Sequence, residues 1–313
     1  MHPFTFTASV QGIFDGATLA ETARRAEDLG FTRLAIPDHL IPQLSPVPAM
    51  ATIAAATTRL RISAYVFNND LRHPAVLAQD LASLDVLSGG RLDVAIGAGW
   101  NRPEYEAIGL PFDPVGTRVT RLGEAIAVLK GCFADGPFSL AGEHYTITDY
   151  DAEPKPVQRP HPPLMIGGGG RRILTLAGRE ADIVGLAPRT LGEQRTDPRS
   201  ITLAATAEKI GWVREAAGDR FDDLVLDVYP SAWPIVVTDD PRAEAEKVVE
   251  HLAGRADVDL TVDDVLASPH LFVNTIDGFV EKFERLRAEL GISSFMIGEI
   301  DELAPVVARL SGR

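Results

Sequence analysis

The 313-residue chain has one cysteine, Cys132. A single thiol cannot build a disulfide framework within the chain, and a cysteine-rich metal site is excluded. Cys132 reads as a packed thiol near a helix end. Positive charge is also scarce: 30 Lys and Arg stand against 44 Asp and Glu, a formal charge of -14 and an isoelectric point near 4.9. Nucleic-acid binding needs a basic stripe to displace counterions from phosphates, and none is visible. An anionic membrane surface is disfavoured for the same reason. Only the local pair Arg171-Arg172 keeps the means to hold a small anion. No apolar run reaches the roughly 18 residues of a membrane span; the nearest, 47–56, is alanine-rich and shorter. The opening MHPFTFT lacks a basic stretch followed by an apolar segment, so no secretory signal is read and a cytoplasmic protein is expected. The seven histidines are scattered, with no His-Glu-x-x-His, no nucleophile-elbow serine and no phosphate-loop lysine motif, so no metal site is expected. The first strand-like run is followed by Gln11-Gly12-Ile13 instead of three spaced glycines, which excludes a dinucleotide fingerprint there.

Apolar residues make up 45% of the chain, enough for one large core. Eight short runs read as strands: 4–9, 33–37, 60–67, 92–97, 163–167, 182–185, 224–229 and 294–298. Several are apolar almost throughout, which suits parallel strands covered on both faces. Helical stripes lie between them. Leu19, Ala23, Ala26 and Leu29 precede Gly30; Val76, Leu77, Leu81, Leu84 and Leu87 precede Gly89-Gly90. Val119, Leu122, Ile126 and Leu129 stop at Gly131, and Phe279, Phe283, Leu286 and Leu290 stop at Gly291. Eight strand–helix units predict an α/β fold closed as a (β/α)8 TIM barrel, one domain over 1–313. Three stretches fall outside the repeat: 131–162, with a hairpin near 138–147 and a proline-rich passage; 188–199, polar and mobile; and 232–275, with helices near 242–253 and 262–267.

A barrel carries its chemistry on the loops after its strands. The second run ends Ile36-Pro37-Asp38-His39, where a histidine suits proton transfer and Asp38 either orients it or bonds to backbone. The third is followed by Asn68-Asn69-Asp70, turn formers or ligand contacts, and then His73-Pro74, a helix entry. The fourth ends Gly97-Ala98-Gly99-Trp100, glycines that admit a flat ligand beside a large ring. The fifth ends in Gly167, Gly168, Gly169 and Gly170, then Arg171-Arg172 and a helix expected from Ile173. Amides at a helix N-terminus bind anions and glycines let them come close, so this reads as a phosphate site.

These segments together resemble the bacterial luciferase-like superfamily, in its branch of deazaflavin-dependent oxidoreductases. The resemblance is carried by PDHL (37–40), RHPAVLAQDLASLDVLSGGRLDVAIGAGWNRPEYEAIGLPF (72–112), RLGEAIAVLK (121–130), PKPVQRPHPPLMIGGGG (154–170) and GFVEKFERLRAELGISSFMI (278–297). It implies a barrel, commonly dimeric, that binds coenzyme F420 or a flavin such as FMN. It implies coenzyme contacts at Asp38, Ala64, Tyr65, Val66, Phe67, Asn68, Gly97, Gly99, Arg171 and Leu186 besides the glycine run, with a cis peptide at Ala64-Tyr65. His39 matches the histidine near the reactive carbon in the branch's sugar-phosphate dehydrogenases. Their glutamate after the fourth strand is replaced by Trp100, which argues against sugar phosphates as substrates. Glu104 is near in sequence, but a helical placement there would turn it away. The resemblance favours F420-dependent hydride transfer with a small organic substrate, His39 and Trp100 lining the reacting centre. A reduced-FMN-dependent monooxygenase and a non-catalytic F420- or flavin-binding protein are the alternatives. A homodimer is expected through the helix within 71–87.

Overall fold

The computed structural model describes residues 1–191, 195–253, 259–298 and 300–313. Parts of the stretches 188–199 and 232–275 therefore lie outside the described residues. The chain divides into two compact units: Met1–Ser9, Asp28–Thr32 and Gly167–Arg313 in the first, Val10–Glu27 and Arg33–Ile166 in the second.

In the first unit four parallel strands pair in the order Thr5–Ser9, Ile292–Met296, Val225–Val228, Ile183–Leu186. Thr5 lies opposite Ser294, and Asp227 lies between Ser294 and Gly185. Parallel neighbours need long crossovers, and the helices Leu203–Ala217 and Ile276–Leu290 lie in those between Ile183–Leu186, Val225–Val228 and Ile292–Met296. The core is aromatic: Phe4, Phe6, Phe272, Phe279, Phe283 and Phe295 are all buried, and Phe283 stacks on Phe295 with ring centroids 4.2 Å apart. The helices Pro241–Leu252 and Val262–Ala267 share a separate small core of Ile201, Val248, Leu252, Val265 and Leu271.

In the second unit Arg33–Ile36 pairs with Arg61–Ala64, and Val94–Gly97 pairs with Phe67–Asn68 on one side and Leu164–Gly168 on the other. An isolated bridge joins Ile62 to Leu92. At the entry of these strands Asp93 is buried between two arginines, 2.6 Å from Arg33 Nε and 2.8 Å from Arg61 Nε. Burial alone would raise its carboxyl pKa, but Arg33 and Arg61 outweigh burial and hold it below the usual range. Helices Pro46–Ala56, Pro74–Ser88 and Val115–Phe133 belong to this unit.

Strand positions follow the sequence reading closely, but among the described residues the strands of the main parallel sheet number nine, not eight. The run 60–67 is two strands, Arg61–Ala64 and Phe67–Asn68, with Tyr65 and Val66 between them. Gly89 and Gly291 end their helices in the left-handed conformation, as their positions suggested. Gly131 does not end a helix. It sits within Val115–Phe133, where the ring of Phe138 occupies the space a side chain would need. The expected hairpin is present as Phe138–Ala141 paired with Thr146–Tyr150. Among the described residues no helix is long and apolar enough to cross a membrane, and no group of three or more His, Cys, Asp or Glu could hold a metal ion.

Candidate active site

His39 follows the strand Arg33–Ile36 in the second unit. Its Nδ1 lies 2.9 Å from Glu104 Oε1 and 3.1 Å from Glu104 Oε2. The sequence placed Glu104 away from this histidine, and the structure corrects that. Glu104 lies on the short helix Arg102–Ala107, which starts two residues after Trp100 and has Pro103 in its first turn. The Glu104 amide donates to the Asn101 carbonyl at 3.1 Å, and the Asn101 side-chain amide donates to Glu104 Oε1. The turn thus aims the carboxylate inward, leaving its side chain 6% exposed against 24% for His39.

Trp100 also meets the imidazole. The two rings meet edge to face at 81°, centroids 5.5 Å apart, and Trp100 is 51% exposed. His39 and Trp100, paired by the sequence reading, are neighbours, and the indole keeps a large apolar face available.

Asp38 does not orient His39. Its Oδ2 accepts from the Asn68 amide at 2.9 Å and from Arg72 Nη1 at 2.7 Å, and its Oδ1 accepts from Arg72 Nη2 at 3.0 Å. That bidentate pair ties the second strand's loop to the third's. Arg72 also lies over the Phe67 ring, 5.6 Å from its centroid.

The cis peptide is Tyr65-Val66, not Ala64-Tyr65. The Tyr65 amide still donates to Ile36 O at 3.0 Å, continuing the ladder in which Ala64 pairs with Ile36, so the Ala64-Tyr65 peptide belongs to regular strand. The chain departs from that pattern one residue later. Phe67 and Asn68 are both buried.

Gly97 closes its strand, and Gly99 has φ +74. A side chain at Gly99 would run into the Tyr105 hydroxyl. That hydroxyl lies 2.9 Å from Asn68 Oδ1 and 3.0 Å from Asp70 Oδ2, and Arg121 pairs with Asp70 at 2.7 Å and with Asp113 at 2.7 Å. Burial, then the Asp70 charge, pushes the Tyr105 phenol up, so it stays a neutral donor. Arg118 donates to the Ala98 carbonyl at 3.0 Å and also to that of Gly99. The backbone leading into Trp100 is thereby fixed from both sides.

The first unit carries the glycine run. Gly167 and Gly168 end the strand Leu164–Gly168, and Gly170 caps the helix Arg171–Glu180 with no side-chain bond at the cap. The Ala187 amide donates to Gly168 O at 3.0 Å. A Cβ on Gly169 would lie 2.7 Å from both Ala187 O and Pro188 O, while one on Gly170 would meet nothing within 4 Å. Lys209, buried, donates to Ala187 O and Ser200 O at 2.8 Å each, bracing the loop that Gly169 abuts. Burial, reinforced by Arg189, pushes its ammonium down to about 8. Leu186 is fully buried. Arg171 points elsewhere: it pairs with Glu215 at 3.0 Å in an exposed position.

Sequence reasoning set Glu104 aside and missed Arg72, Tyr105, Arg118 and Lys209. The first four lie within or beside motif segments already singled out, but their roles depend on tertiary contacts that spacing does not encode. Lys209 had one signal, a lysine inside an otherwise apolar helical stripe that includes Ile210 and Val213.

The sequence family described as Luciferase-like monooxygenase matches residues 1–285. An FMNH(2)-dependent dimethylsulfone monooxygenase of Pseudomonas putida is 38% identical over 130 residues, 42% of this chain and 36% of that protein. An F420-dependent glucose-6-phosphate dehydrogenase of Kineococcus radiotolerans is 32% identical over 180 residues, 54% of this chain and 52% of that protein. The matched segment thus spans about a third to a half of these relatives' length. A solved structure, an F420-dependent secondary alcohol dehydrogenase in complex with an F420-acetone adduct, is similar with a TM-score of 0.74 at 22% identity, covering 99% of this chain and 98% of that one. That last likeness is one of fold.

Proposed function

The chain belongs to the luciferase-like monooxygenase family, and on that footing we propose that it is a coenzyme F420-dependent oxidoreductase that moves a hydride to or from a small organic substrate. The observation that carries this reading is the imidazole of His39 in contact with both the Glu104 carboxylate and the Trp100 ring. The similarity to F420-dependent proteins supports the coenzyme assignment.

The residues present suit such a coenzyme. At Gly169 the backbone packs so closely on Ala187 and Pro188 that no side chain fits, and the helix after Gly170 starts without a side-chain cap. Unbranched backbone and first-turn amides of this kind accommodate a phosphate. Gly168, Gly169 and Gly170 would hold it, with the segment at Leu186–Ala187 beside them. When bound, the deazaflavin exchanges a hydride with a substrate carbon.

The protein's part is the proton. A carboxylate only accepts hydrogen bonds, so His39 donates to Glu104 through Nδ1. Its Nε2 then takes the proton of a substrate hydroxyl in the oxidising direction, or returns it to a carbonyl oxygen in the reducing one. Trp100 covers one edge of the imidazole and presents an apolar wall to the substrate. No acidic side chain stands in Trp100's place, which disfavours sugar phosphates. Replacing His39 with Ala should abolish turnover by about 100-fold or more while coenzyme affinity changes little; unchanged turnover would remove His39 from the chemistry.

The 38% identity to the dimethylsulfone monooxygenase supports a second reading, reduced-FMN-dependent oxygenation at the same residues. We further propose a homodimer through the helix Pro74–Ser88, which leaves Val76, Val86 and Leu87 exposed. Light scattering should give twice the 33.7 kDa chain mass; a monomer mass would contradict it.

A further inference from the structure

The carboxylate that faces His39 comes from an unexpected place, and it has no route to a substrate of its own. Glu104 is buried, and its Oε1 already accepts from the Asn101 amide. His39 is the more exposed of the two, with its Nδ1 committed to Glu104. The nearest alternative carboxylate in sequence, Asp38, is taken up by Arg72 and the Asn68 amide. Trp100 meets the imidazole edge to face and offers no acid or base.

We propose that Glu104 is a positioning residue for His39: its carboxylate keeps the imidazole proton on Nδ1 and leaves Nε2 as the atom that exchanges protons with the substrate. The inference rests on the reading of His39 as the proton-transfer group, and it adds what fixes the ring. The logic is that of a carboxylate holding a catalytic imidazole in one tautomer and stabilising it when it charges. Asn101 is part of the device. By donating to Oε1 it fixes the rotation of the carboxylate.

The isosteric change Glu104→Gln reverses the arrangement. The carboxamide oxygen stays toward the Asn101 amide, and the new NH2 group turns onto His39 Nδ1. Nδ1 must then accept, so the proton moves to Nε2, and the atom that faced the substrate as a base no longer can.

The test uses the full-length protein without coenzyme, so it stands apart from the coenzyme assignment. Nitrogen-edited NMR of the imidazole should show His39 as the Nδ1–H tautomer in the native protein and as Nε2–H in Glu104→Gln. Diethyl pyrocarbonate acylates an unprotonated imidazole nitrogen, and peptide mass spectrometry reads each histidine separately. His39 should react about tenfold more slowly in Glu104→Gln, the loss expected for one charge-assisted hydrogen bond, while His2 and His73 keep their rates. Glu104→Asp should restore the native tautomer and part of the rate. Glu104→Ala, which leaves Nδ1 without its carboxylate, should give mixed tautomers. An Nδ1–H tautomer and an unchanged rate in Glu104→Gln would overturn the proposal. A tautomer that flips as expected, in a protein that fails to bind F420, would leave the positioning role standing and overturn the coenzyme reading instead.

Discussion

Two adjacent glycines in the candidate phosphate segment should respond in opposite ways to the same substitution. At Gly169 a methyl group would lie 2.7 Å from two carbonyl oxygens and 2.9 Å from the Pro188 carbonyl carbon. All three are backbone atoms, and Lys209 braces one of those carbonyls, so the loop cannot give way cheaply. Overpacking of this kind costs about 1–3 kcal/mol. If the segment also holds the coenzyme phosphate, the displaced amides should lower affinity by roughly tenfold to 100-fold, at about 1.4 kcal/mol per factor of ten. At Gly170 the space is open and φ is -102, so Ala fits without strain. There the loss of unfolded-state freedom should stabilise the protein by about 0.4–1 kcal/mol, with affinity close to native. Urea unfolding measures the first quantity and fluorescence titration with F420 the second. Gly169→Ala as stable and as tight-binding as Gly170→Ala would refute the reasoning.

Three further outcomes follow from the geometry. Gly99→Ala should lose about 2–5 kcal/mol, because Ala resists the left-handed backbone and displaces the Tyr105 hydroxyl from Asn68 and Asp70; a urea midpoint near native would contradict this. His270 is fully buried, and burial, followed by the charge on Lys209, pushes its imidazole down to about 3. Between pH 6.5 and 3 the unfolded chain therefore takes up a proton that the folded one refuses, and stability should fall by about 1.4 kcal/mol per pH unit from this group. His270→Leu should be less stable at pH 7, since Tyr229 O loses its donor, yet show a shallower acid slope; an unchanged slope would place the titration elsewhere.

Much of this structure can be read from apolar spacing. The strands Arg33–Ile36 and Val94–Gly97 and the helix stops at Gly89 and Gly291 follow from periodicity and glycine position, and these place His39 and Trp100 just after strand ends. What spacing could not supply is anything decided by a single turn of chain. Glu104 faces His39 because the chain turns at Asn101 before a six-residue helix, too short for any periodic signal. The cis bond fell one residue later than expected because the ladder from Ile36 extends through Tyr65. Gly131 resembled a helix stop, but it makes room for a ring arriving from Phe138. Arg72, Arg118 and Lys209 find their partners across the fold, and in the sequence they are ordinary basic residues.

The identity of the coenzyme is tested by titrating the purified protein with F420, FMN and FAD, followed by absorbance and fluorescence. Micromolar binding of F420 is expected, with distinctly weaker binding of FMN and FAD. Tight binding of FMN with little or none of F420 would contradict it.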